Sequence, residues 1–430
     1  MSAATPTVPD DAPVAAAARP AVRHGVWGRL DSPLAPYYLV LGATLALTAL
    51  GLLMVLSSSS IESLRKDHSP YTVFTKQAMF AAVALPLMLL ASRIPTRWWT
   101  ALAWPLLGLS VVGLGLVLTP LGVEVYGNRN WISLGGITLQ PSEAAKLALV
   151  VWGAAVLARK RLLMHRTVHV LVPVVVPGSA ILLGLVLAGH DLGTGLILLA
   201  LVGSLLWLGG ARVRLFAMSA LAATVVVWAV LGARQSRLSR INDWLNGCPD
   251  PHASVTCWQP MQGKYALASG GWWGVGLGNS REKWSWLPEA HNDFIFAIIG
   301  EELGLAGSLL ILALFAVLAF GLYRVVVRAD DDFVKIATGG VLVWVVGQAV
   351  INIAAVLGLL PVVGVPLPLV SSGGSALITT LVALGMVVGF ARRDPAAAAA
   401  LAARTTTARQ SLAVVRARRL RGLTRPGSPR

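Results

Sequence analysis

Charged residues are scarce in this chain of 430 residues and make up only 13% of it. A soluble protein of this length carries roughly a quarter charged residues. Hydrophobic residues account for 56% of the chain, so the composition excludes an ordinary soluble enzyme. The sequence predicts a polytopic membrane protein in which one membrane domain holds most of the chain.

Cysteine is also scarce. The chain has two, Cys248 and Cys257, close together in one polar loop. No array of cysteine and histidine has the spacing of metal ligands, so no metal site of that kind is predicted. If the loop is extracytoplasmic, a disulfide between the two cysteines is expected. Two free thiols are the alternative.

Acidic residues are few: 19 Asp and Glu stand against 35 Lys and Arg, which gives a formal charge of +16. This charge is compatible with nucleic-acid binding, but much of it lies in short loops and in the tail after Phe390. Such placement is typical of the positive-inside pattern of membrane proteins. We therefore expect contact with membrane lipids and no nucleic acid partner.

The start of the chain lacks the apolar core of a signal peptide and is rich in Ala, Pro and Val. We interpret residues 1–36 as a disordered cytoplasmic arm and residues 37–391 as the membrane domain. Residues 392–430 are interpreted as a basic, disordered cytoplasmic tail that faces anionic lipids.

Ten apolar stretches follow the arm, each near the length that spans a bilayer. Their limits are 37–57, 74–92, 98–118, 141–158, 169–188, 192–209, 213–232, 292–323, 335–358 and 374–391. The eighth is longer than a span needs, and we expect it to extend past one interface. The predicted fold class is an all-α integral membrane protein with about ten transmembrane helices.

The loops on one side of these stretches carry most of the lysines and arginines, which places that side and both termini in the cytoplasm. The polar loop 233–291 then becomes the one large extracytoplasmic segment. The segment 360–375 holds prolines and paired glycines at membrane depth. Such backbone must be buried in protein or line a cavity, so we interpret it as a re-entrant segment that walls a site.

A cluster of titratable side chains marks the mouth of the eighth stretch, within residues 283–304. Its members are Glu289, His291, Asp293, Glu301 and Glu302. Charges at the mouth of a membrane helix are costly to keep, which indicates a functional site. The alternative is that Asn292 or Asp293 only caps the helix.

Further polar residues lie at the outer ends of other stretches. They are Arg129, Glu143, Lys146, Asp191, Lys264, Ser371 and Ser372. Glu143 and Lys146 are three residues apart and can form an ion pair on one helical face. A lysine inside the start of a membrane helix indicates a polar cavity, and a helix-opening salt bridge is the simpler interpretation. For Asp191 we favour an N-cap of the sixth helix.

These motifs, in this order, resemble the SEDS family (shape, elongation, division and sporulation), of which FtsW and RodA are the division and elongation members. The motifs read GNRNWISLGG…QPSEAAKLAL, DLGTG, QGKYALASGG…GVGLGNS, LPEAHNDFIFAIIGEELG and LPLVSSGGSA. The resemblance covers residues 37–390. HND in place of the more common HTD, together with the Ala- and Arg-rich tails, is most similar to actinobacterial FtsW.

The resemblance implies a peptidoglycan glycosyltransferase that polymerises lipid II at the outer face of the cytoplasmic membrane during septal cell-wall synthesis. The family's essential aspartate falls on Asp293, and its polar cavity residues fall on Glu143, Lys146 and Asp191. A divalent cation, Mg²⁺ or Mn²⁺, is implied, and no organic cofactor. The implied partners are a class B penicillin-binding protein (an FtsI-type transpeptidase) and the divisome proteins FtsQ, FtsL and FtsB.

Three positions depart from the family pattern. They are Asn130 before Trp131, where Arg is usual; the turn 360–364, where many FtsW members carry Lys; and His190, where Pro is usual. The missing lysine must be replaced from elsewhere if its role is kept. Arg129 and Lys264 are the candidates.

In this reaction a C4 hydroxyl attacks an anomeric carbon and a polyprenyl diphosphate leaves. We expect Asp293 to be the general base on the hydroxyl, ionised at pH 7 because the helix N-terminus lowers its pKa. The alternative is that Asp293 holds the divalent cation on the diphosphate. Arg129 and Lys146 are candidates to bind the diphosphate.

Other residues of the cluster have weaker predicted roles. His291 orients Asp293 or contacts sugar, with packing at the interface as the alternative, and Glu289 is a weaker candidate for substrate contact. One of Glu301 and Glu302 is expected to pair with a cation such as Lys146.

Three alternative functions differ in class or in place. A lipid II flippase also has many spans with internal carboxylates, but a carrier needs a midplane site and often inverted repeats, and neither is evident. An elongation-type, RodA-like polymerase and a non-catalytic divisome scaffold are the others. Retention of Asp293 within a full set of motifs argues against the scaffold.

Overall fold

The computed structural model describes residues 32–125, 128–135, 137–164, 166–214, 216, 235–248, 255–284 and 286–403. Most of the predicted seventh span (213–232), of the N-terminal arm and of the C-terminal tail lies outside the described residues. The tail was expected to be disordered from residue 392, but residues 395–403 are helical.

Long helices follow the predicted apolar stretches closely. They are α1 (Ala35–Asp67), α2 (Thr72–Arg93), α3 (Thr96–Val117), α4 (Pro141–Arg159), α5 (Val168–Ala188, interrupted by non-helical backbone at Val172 and Val176), α6 (Leu192–Leu208), α7 (Gln235–Leu245), α8 (Val255–Gly270), α9 (Ile295–Arg328), α10 (Asp332–Val356) and α11 (Gly374–Arg393). Within the described ranges, eight of these are long and apolar enough to cross a membrane, and α6 is a shorter apolar helix. The predicted all-α multi-pass fold is confirmed.

Two of the helices are much longer than a bilayer requires. At 33 residues and ~1.5 Å per residue, α1 is about 50 Å long, against a hydrocarbon core of about 30 Å. α9 has 34 residues but breaks at Gly304, whose φ of 69° is left-handed. A Cβ at Gly304 would lie 2.6 Å from the carbonyl of Trp272. The expected overlong eighth helix is therefore a short helix, 295–303, followed by a membrane span.

The polar segment 233–291 contains more regular structure than the word loop suggests. It forms α7 and α8, joined by a disulfide between Cys248 and Cys257, as the sequence predicted. α8 lies against the start of α9 so closely that Gly270 meets the backbone of Gly300. The segment is thus packed onto the bundle.

A small antiparallel sheet, which the sequence analysis missed, separates α3 from α4. Its strands are β1 (Gly122–Val125), β2 (Asn128–Leu134) and β3 (Ile137–Leu139), in the order β1-β2-β3. Short β-branched runs bounded by Gly-Asn and Gly-Gly pairs are the signal that predicts such hairpins. The sheet carries Asn130 to the mouth of the bundle.

The core lies around α4, α10 and α11, which are the most enclosed spans, whereas α2 and α3 lie at the periphery. Most of the predicted re-entrant segment 360–375 lies in an irregular stretch, residues 357–373, of which 365–371 are largely buried whereas Leu359 is 66% exposed. It packs on α1, where Gly51 faces the backbone of Leu369 and Val370. The prediction of irregular backbone is confirmed, and its burial in protein is confirmed for residues 365–371.

Candidate active site

Asp293 lies in the turn that enters α9. Its carbonyl accepts a hydrogen bond from Nδ2 of Asn352 at 2.8 Å, and that nitrogen also donates to the carbonyl of Val365 at 2.7 Å. α10 therefore holds the turn that contains Asp293 against residues 357–373, called the irregular segment below. The side chain is half-buried overall, but its Oδ1 atom is enclosed and has no hydrogen-bond partner among the described residues. Enclosed polar atoms are normally paired, so Oδ1 is positioned for a ligand.

The pKa of Asp293 is raised from 3.8 to about 7. Burial, which disfavours the charged form, is the largest cause. The nearby charges are Glu289 and Asp191, which raise the pKa, and Arg240 and His291, which lower it. The expected lowering of this pKa is therefore wrong.

The start of α9 explains part of this difference. Its N-cap residue is Phe294, and no side chain caps it. The alternative that Asn292 or Asp293 serves as the helix cap is therefore wrong. The Asp293 carboxylate does not receive the hydrogen bonds at a helix N-terminus that would have stabilised its charge.

Asp191 caps α6, as the sequence predicted. Its Oδ1 accepts from the backbone N–H of Thr194 at 2.9 Å, and its Oδ2 accepts from the Thr194 hydroxyl at 2.7 Å. Oδ2 also accepts from Nδ2 of Asn130 at 2.8 Å and from Nε2 of Gln140 at 3.3 Å. One carboxylate thus joins the sheet, the start of α4 and the start of α6.

The predicted ion pair between Glu143 and Lys146 is confirmed. Nζ of Lys146 lies 2.8 Å from Oε1 of Glu143, and the two side chains are at most 3% exposed. The same Nζ donates to Oε1 of Gln348 at 3.0 Å and lies 5.1 Å from the centroid of the Trp344 ring. Oε2 of Glu143 has no partner within the described ranges. A buried polar cluster therefore lies at the start of α4.

Two amides on α10, Gln348 and Asn352, connect this cluster to Asp293. Gln348 donates through Nε2 to the carbonyl of Pro366 at 2.9 Å, while Asn352 holds the Asp293 turn. The sequence analysis missed both residues. Their signal is a pair of amides four residues apart, hence on one face, inside an otherwise apolar helix.

Ser371 and Ser372 fasten the irregular segment to the Asp293 turn. The hydroxyl of Ser371 donates to the carbonyl of Asn292 at 2.6 Å and accepts from the N–H of Leu367 at 2.8 Å. The N–H of Ser372 donates to the carbonyl of His291 at 3.0 Å. Both serines hold protein groups in place, and contact of either with substrate stays a prediction.

His291 and Glu289 lie just before Asp293 in the chain. Nδ1 of His291 is 3.1 Å from Oε2 of Glu62 near the end of α1. Glu289 has a left-handed φ of 55°, and its carboxylate accepts from Nδ2 of Asn292 at 3.3 Å. The contact of His291 with Glu62 places the turn beside α1 and was not foreseen.

Glu301 and Glu302 pair with groups other than the expected Lys146. Glu302 forms a fully buried ion pair with Lys283 at 3.1 Å and accepts from the hydroxyl of Ser57 at 2.6 Å. Glu301 accepts from the N–H of Arg281 at 2.8 Å. The expected pairing with a cation is confirmed for Glu302, but the cation is Lys283 at the start of the same stretch, because Lys146 is used by Glu143.

Comparison with known proteins gives the family. A family model described as a cell cycle protein, covering FtsW, RodA and SpoVE, matches residues 38–394.

The chain belongs to the FtsW/RodA/SpoVE family.

Similar proteins carry the name "Probable peptidoglycan glycosyltransferase FtsW". Those of Mycobacterium bovis and Mycobacterium tuberculosis are 41% identical over 399 residues, covering 92% of this chain and 75% of theirs. That of Trichlorobacter lovleyi is 37% identical over 359 residues, covering 83% of this chain and 93% of its own.

Solved structures give the same picture. The chain is similar, at 25% identity and a TM-score of 0.67, to a structure described as "Structural coordination of polymerization and crosslinking by a peptidoglycan synthase complex", covering 83% of this chain and 97% of that one. It is similar to the RodA protein of Thermus thermophilus at 25% identity and a TM-score of 0.59, with the same coverage.

In this FtsW/RodA/SpoVE member, the arginine lies at position 129, and Asn130 occupies the place before Trp131 where Arg is usual. This shift changes which side chain reaches Asp191. The Arg129 guanidinium donates to the carbonyl of Thr119, and its backbone N–H donates to the carbonyl of Gly189. Asn130, its neighbour, is the residue that reaches Asp191. Arg129 therefore holds the base of the hairpin, and its predicted contact with diphosphate stays untested.

The turn that lacks the usual lysine receives positive charge from α7 and α8. Nη1 of Arg240 donates to the carbonyl of Val362 at 3.4 Å. Nζ of Lys264 lies so near Gly358 that a Cβ there would be 2.9 Å away. Lys264 was one of the two residues predicted to replace the missing lysine. Arg240 was not foreseen, because its segment carries no motif.

The third departure from the family pattern, His190, does not disturb the turn that precedes α6. His190 has a left-handed φ of 68°, and its Nδ1 lies 2.9 Å from the carbonyl of Ala188. Asp191 still caps α6. Histidine in place of proline therefore preserves the position of the Asp191 carboxylate.

Proposed function

We propose that this protein is a peptidoglycan glycosyltransferase that polymerises lipid II at the outer face of the cytoplasmic membrane. The single observation that carries the proposal is the Asp293 carboxylate, with its enclosed, unpaired Oδ1 and its pKa of about 7. The names of the similar proteins support the same activity.

In the proposed reaction, Asp293 acts as the base on the acceptor sugar. The C4 hydroxyl oxygen forms a bond to the anomeric carbon of the donor, and its proton passes to Asp293. The bond from that carbon to the diphosphate oxygen breaks, and the electron pair leaves with the polyprenyl diphosphate. A base with a pKa near the working pH is the most effective, so the raised pKa suits this role.

A divalent cation, Mg²⁺ or Mn²⁺, fits the site only in a substrate-held mode. Among the described residues there is no group of three His, Cys, Asp or Glu side chains that could hold a metal. Mg²⁺ commonly binds one or two carboxylates together with substrate phosphates, and the unpaired Oδ1 of Asp293 would be such a donor if Asp293 held the cation instead of acting as the base. The cation would supply positive charge to the diphosphate.

The polar groups gather at one end of the bundle, which supports a site open to one side of the membrane. Glu143 and Lys146 lie in the first turns of α4, Asp191 precedes α6, and Asn352 lies in the last turns of α10. A carrier needs a midplane site reached from both sides. This placement favours a polymerase over a flippase.

The proposed partners and location rest on the similarity to known family members. The structural neighbour described as a peptidoglycan synthase complex supports a penicillin-binding protein partner, for which we propose a class B, FtsI-type transpeptidase. Because the curated relatives are FtsW proteins, we place this chain at the division septum with FtsQ, FtsL and FtsB, in preference to a RodA-like role. Both termini are cytoplasmic in this proposal.

The test is polymerisation by the purified protein with its cognate transpeptidase, labelled lipid II and a divalent cation. Moenomycin silences contaminating classical glycosyltransferases, and products are resolved on a gel. Wild type is expected to make polymer and Asp293→Ala none, with complex formation intact. Polymer from Asp293→Ala would overturn the assignment of Asp293.

A further inference from the structure

A second cavity lies beside the Asp293 site, between α7, α8 and the irregular segment. Its volume is about 60 Å³. The polar and turn residues that line it are Arg240, Asp243, Trp244, Lys264, Gly358 and Val362. Val362 also borders the cleft that holds Asp293, so the two sites share a wall. Of these side chains, only Arg240 bears on the general base, because its charge favours the ionised form of Asp293.

Arg240 enters this cavity from α7. Two hydrogen bonds dock α7 on the irregular segment, one from Nη1 of Arg240 to Val362 and one from Nε1 of Trp244 to the carbonyl of Gly358 at 2.9 Å. A guanidinium has five N–H donors in a planar fork. Among the described residues, only the contact with Val362, at 3.4 Å, uses one of them, and the others can bind a ligand.

Lys264 reaches the same turn from α8. Its Nζ lies beside Gly358, and within the described ranges it makes no hydrogen bond or ion pair with protein. The cavity also contains the carboxylate of Asp243. Two cationic donors against one carboxylate leave a net positive charge in the cavity.

The disulfide between Cys248 and Cys257 fixes the distance between the helices that carry these donors. Cys248 lies three residues after the end of α7, and Cys257 lies in the first turn of α8. The two Cα atoms are 5.5 Å apart. A covalent link at this point holds Arg240 and Lys264 over the same turn.

We propose that Arg240 and Lys264 bind the diphosphate of the lipid-linked glycosyl donor in this cavity and stabilise it as it leaves. The inference rests on the proposed function and adds a leaving-group site to it. The proton of the acceptor hydroxyl goes to Asp293, and the electron pair of the broken bond goes to the diphosphate oxygen beside the two cations. Guanidinium geometry suits bidentate contact with phosphate oxygens.

The first experiment measures binding independently of catalysis, with inorganic pyrophosphate as the probe. Pyrophosphate is expected to raise the thermal unfolding midpoint of the full-length protein in complex with its partner. The double variant Arg240→Gln/Lys264→Gln loses this shift, whereas Lys76→Gln, an exposed lysine on α2, and Asp293→Asn keep it. An undiminished shift in the double variant would overturn the inference.

The second experiment measures steady-state polymerisation of lipid II. Losing a hydrogen bond to a charged group lowers kcat/KM by roughly 10- to 100-fold, so this loss is expected for Arg240→Gln. Arg240→Lys recovers part of it, and Lys76→Gln stays at the wild-type rate. If Asp293→Asn is inactive while Arg240→Gln equals wild type, the leaving-group site is wrong and the proposed function stands. If wild type makes no polymer, the pyrophosphate measurement alone decides on the cation pair.

Discussion

At the scale of single residues, the environment of Asp293 balances opposing charges around one carboxylate. Burial and Glu289 favour its neutral form, while Arg240 and His291 favour its charged form. The result is a pKa of about 7, at which the carboxylate is a much stronger base than an exposed aspartate.

The rate of polymerisation should follow this titration. A base must be unprotonated to accept the hydroxyl proton, so kcat/KM is expected to rise as the pH increases through about 7 and to level off above it. The measurement is kcat/KM for lipid II between pH 5.5 and 8.5. A flat profile across this range would contradict the role of Asp293 as base.

Glu289→Gln tests the cause of the shift. Removing a negative neighbour makes the charged form of Asp293 less costly, so the midpoint of the pH profile should move below 7. At pH 6 the variant should then retain a larger fraction of its maximal rate than wild type does. An unchanged midpoint would show that Glu289 does not act on Asp293 through its charge.

At the scale of elements, the short helix before Gly304 is held by a buried ion pair. Lys283→Ala leaves the Glu302 carboxylate buried without its cation, and breaking a buried pair in this way costs about 3–5 kcal/mol. The thermal unfolding midpoint should fall sharply, while Lys76→Ala, which changes an exposed lysine on α2, should leave it unchanged.

A second variant separates the effect of the unpaired Glu302 charge on stability from the effect of the lost side-chain packing. Lys283→Ala combined with Glu302→Gln removes the orphaned charge, so part of the lost stability should return. If the double variant is no more stable than Lys283→Ala alone, the ion pair is not what holds this helix.

The disulfide between α7 and α8 gives a redox prediction. A reductant should lower kcat/KM for lipid II several-fold, because α7 is then held on the irregular segment only by noncovalent contacts. The variant Cys248→Ser/Cys257→Ser should show the lowered value in both reduced and oxidised buffer. Equal activity of the oxidised wild type and this variant would contradict the positioning role of the bridge.

At the scale of the whole molecule, the membrane spans were predictable because their signal is local. A run of about 20 apolar residues specifies a helix of bilayer length whatever its neighbours are. The cap at Asp191 and the pair of Glu143 with Lys146 were predictable for the same reason, since each depends on residues three apart. The Cys248–Cys257 disulfide follows from proximity in sequence and compartment.

Features that depend on which elements meet were not predictable in this way. Pairing of Glu302 with Lys283 depends on how the chain that precedes α9 returns beside it, so that Ser280 and Arg281 also contact Glu301. Arg240 reaches Val362 only because α7 packs on a segment more than 100 residues later in the chain. The raised pKa of Asp293 likewise reflects burial by distant segments, which outweighs the helix N-terminus.

The measurement that tests the account most directly is the single-turnover rate of glycosidic bond formation by Asp293→Asn in complex with the transpeptidase. Asparagine keeps the shape of the side chain but cannot serve as the base, so the rate should fall roughly 10²- to 10⁴-fold while lipid II binding changes little. A rate within a few-fold of wild type would contradict the central role of Asp293.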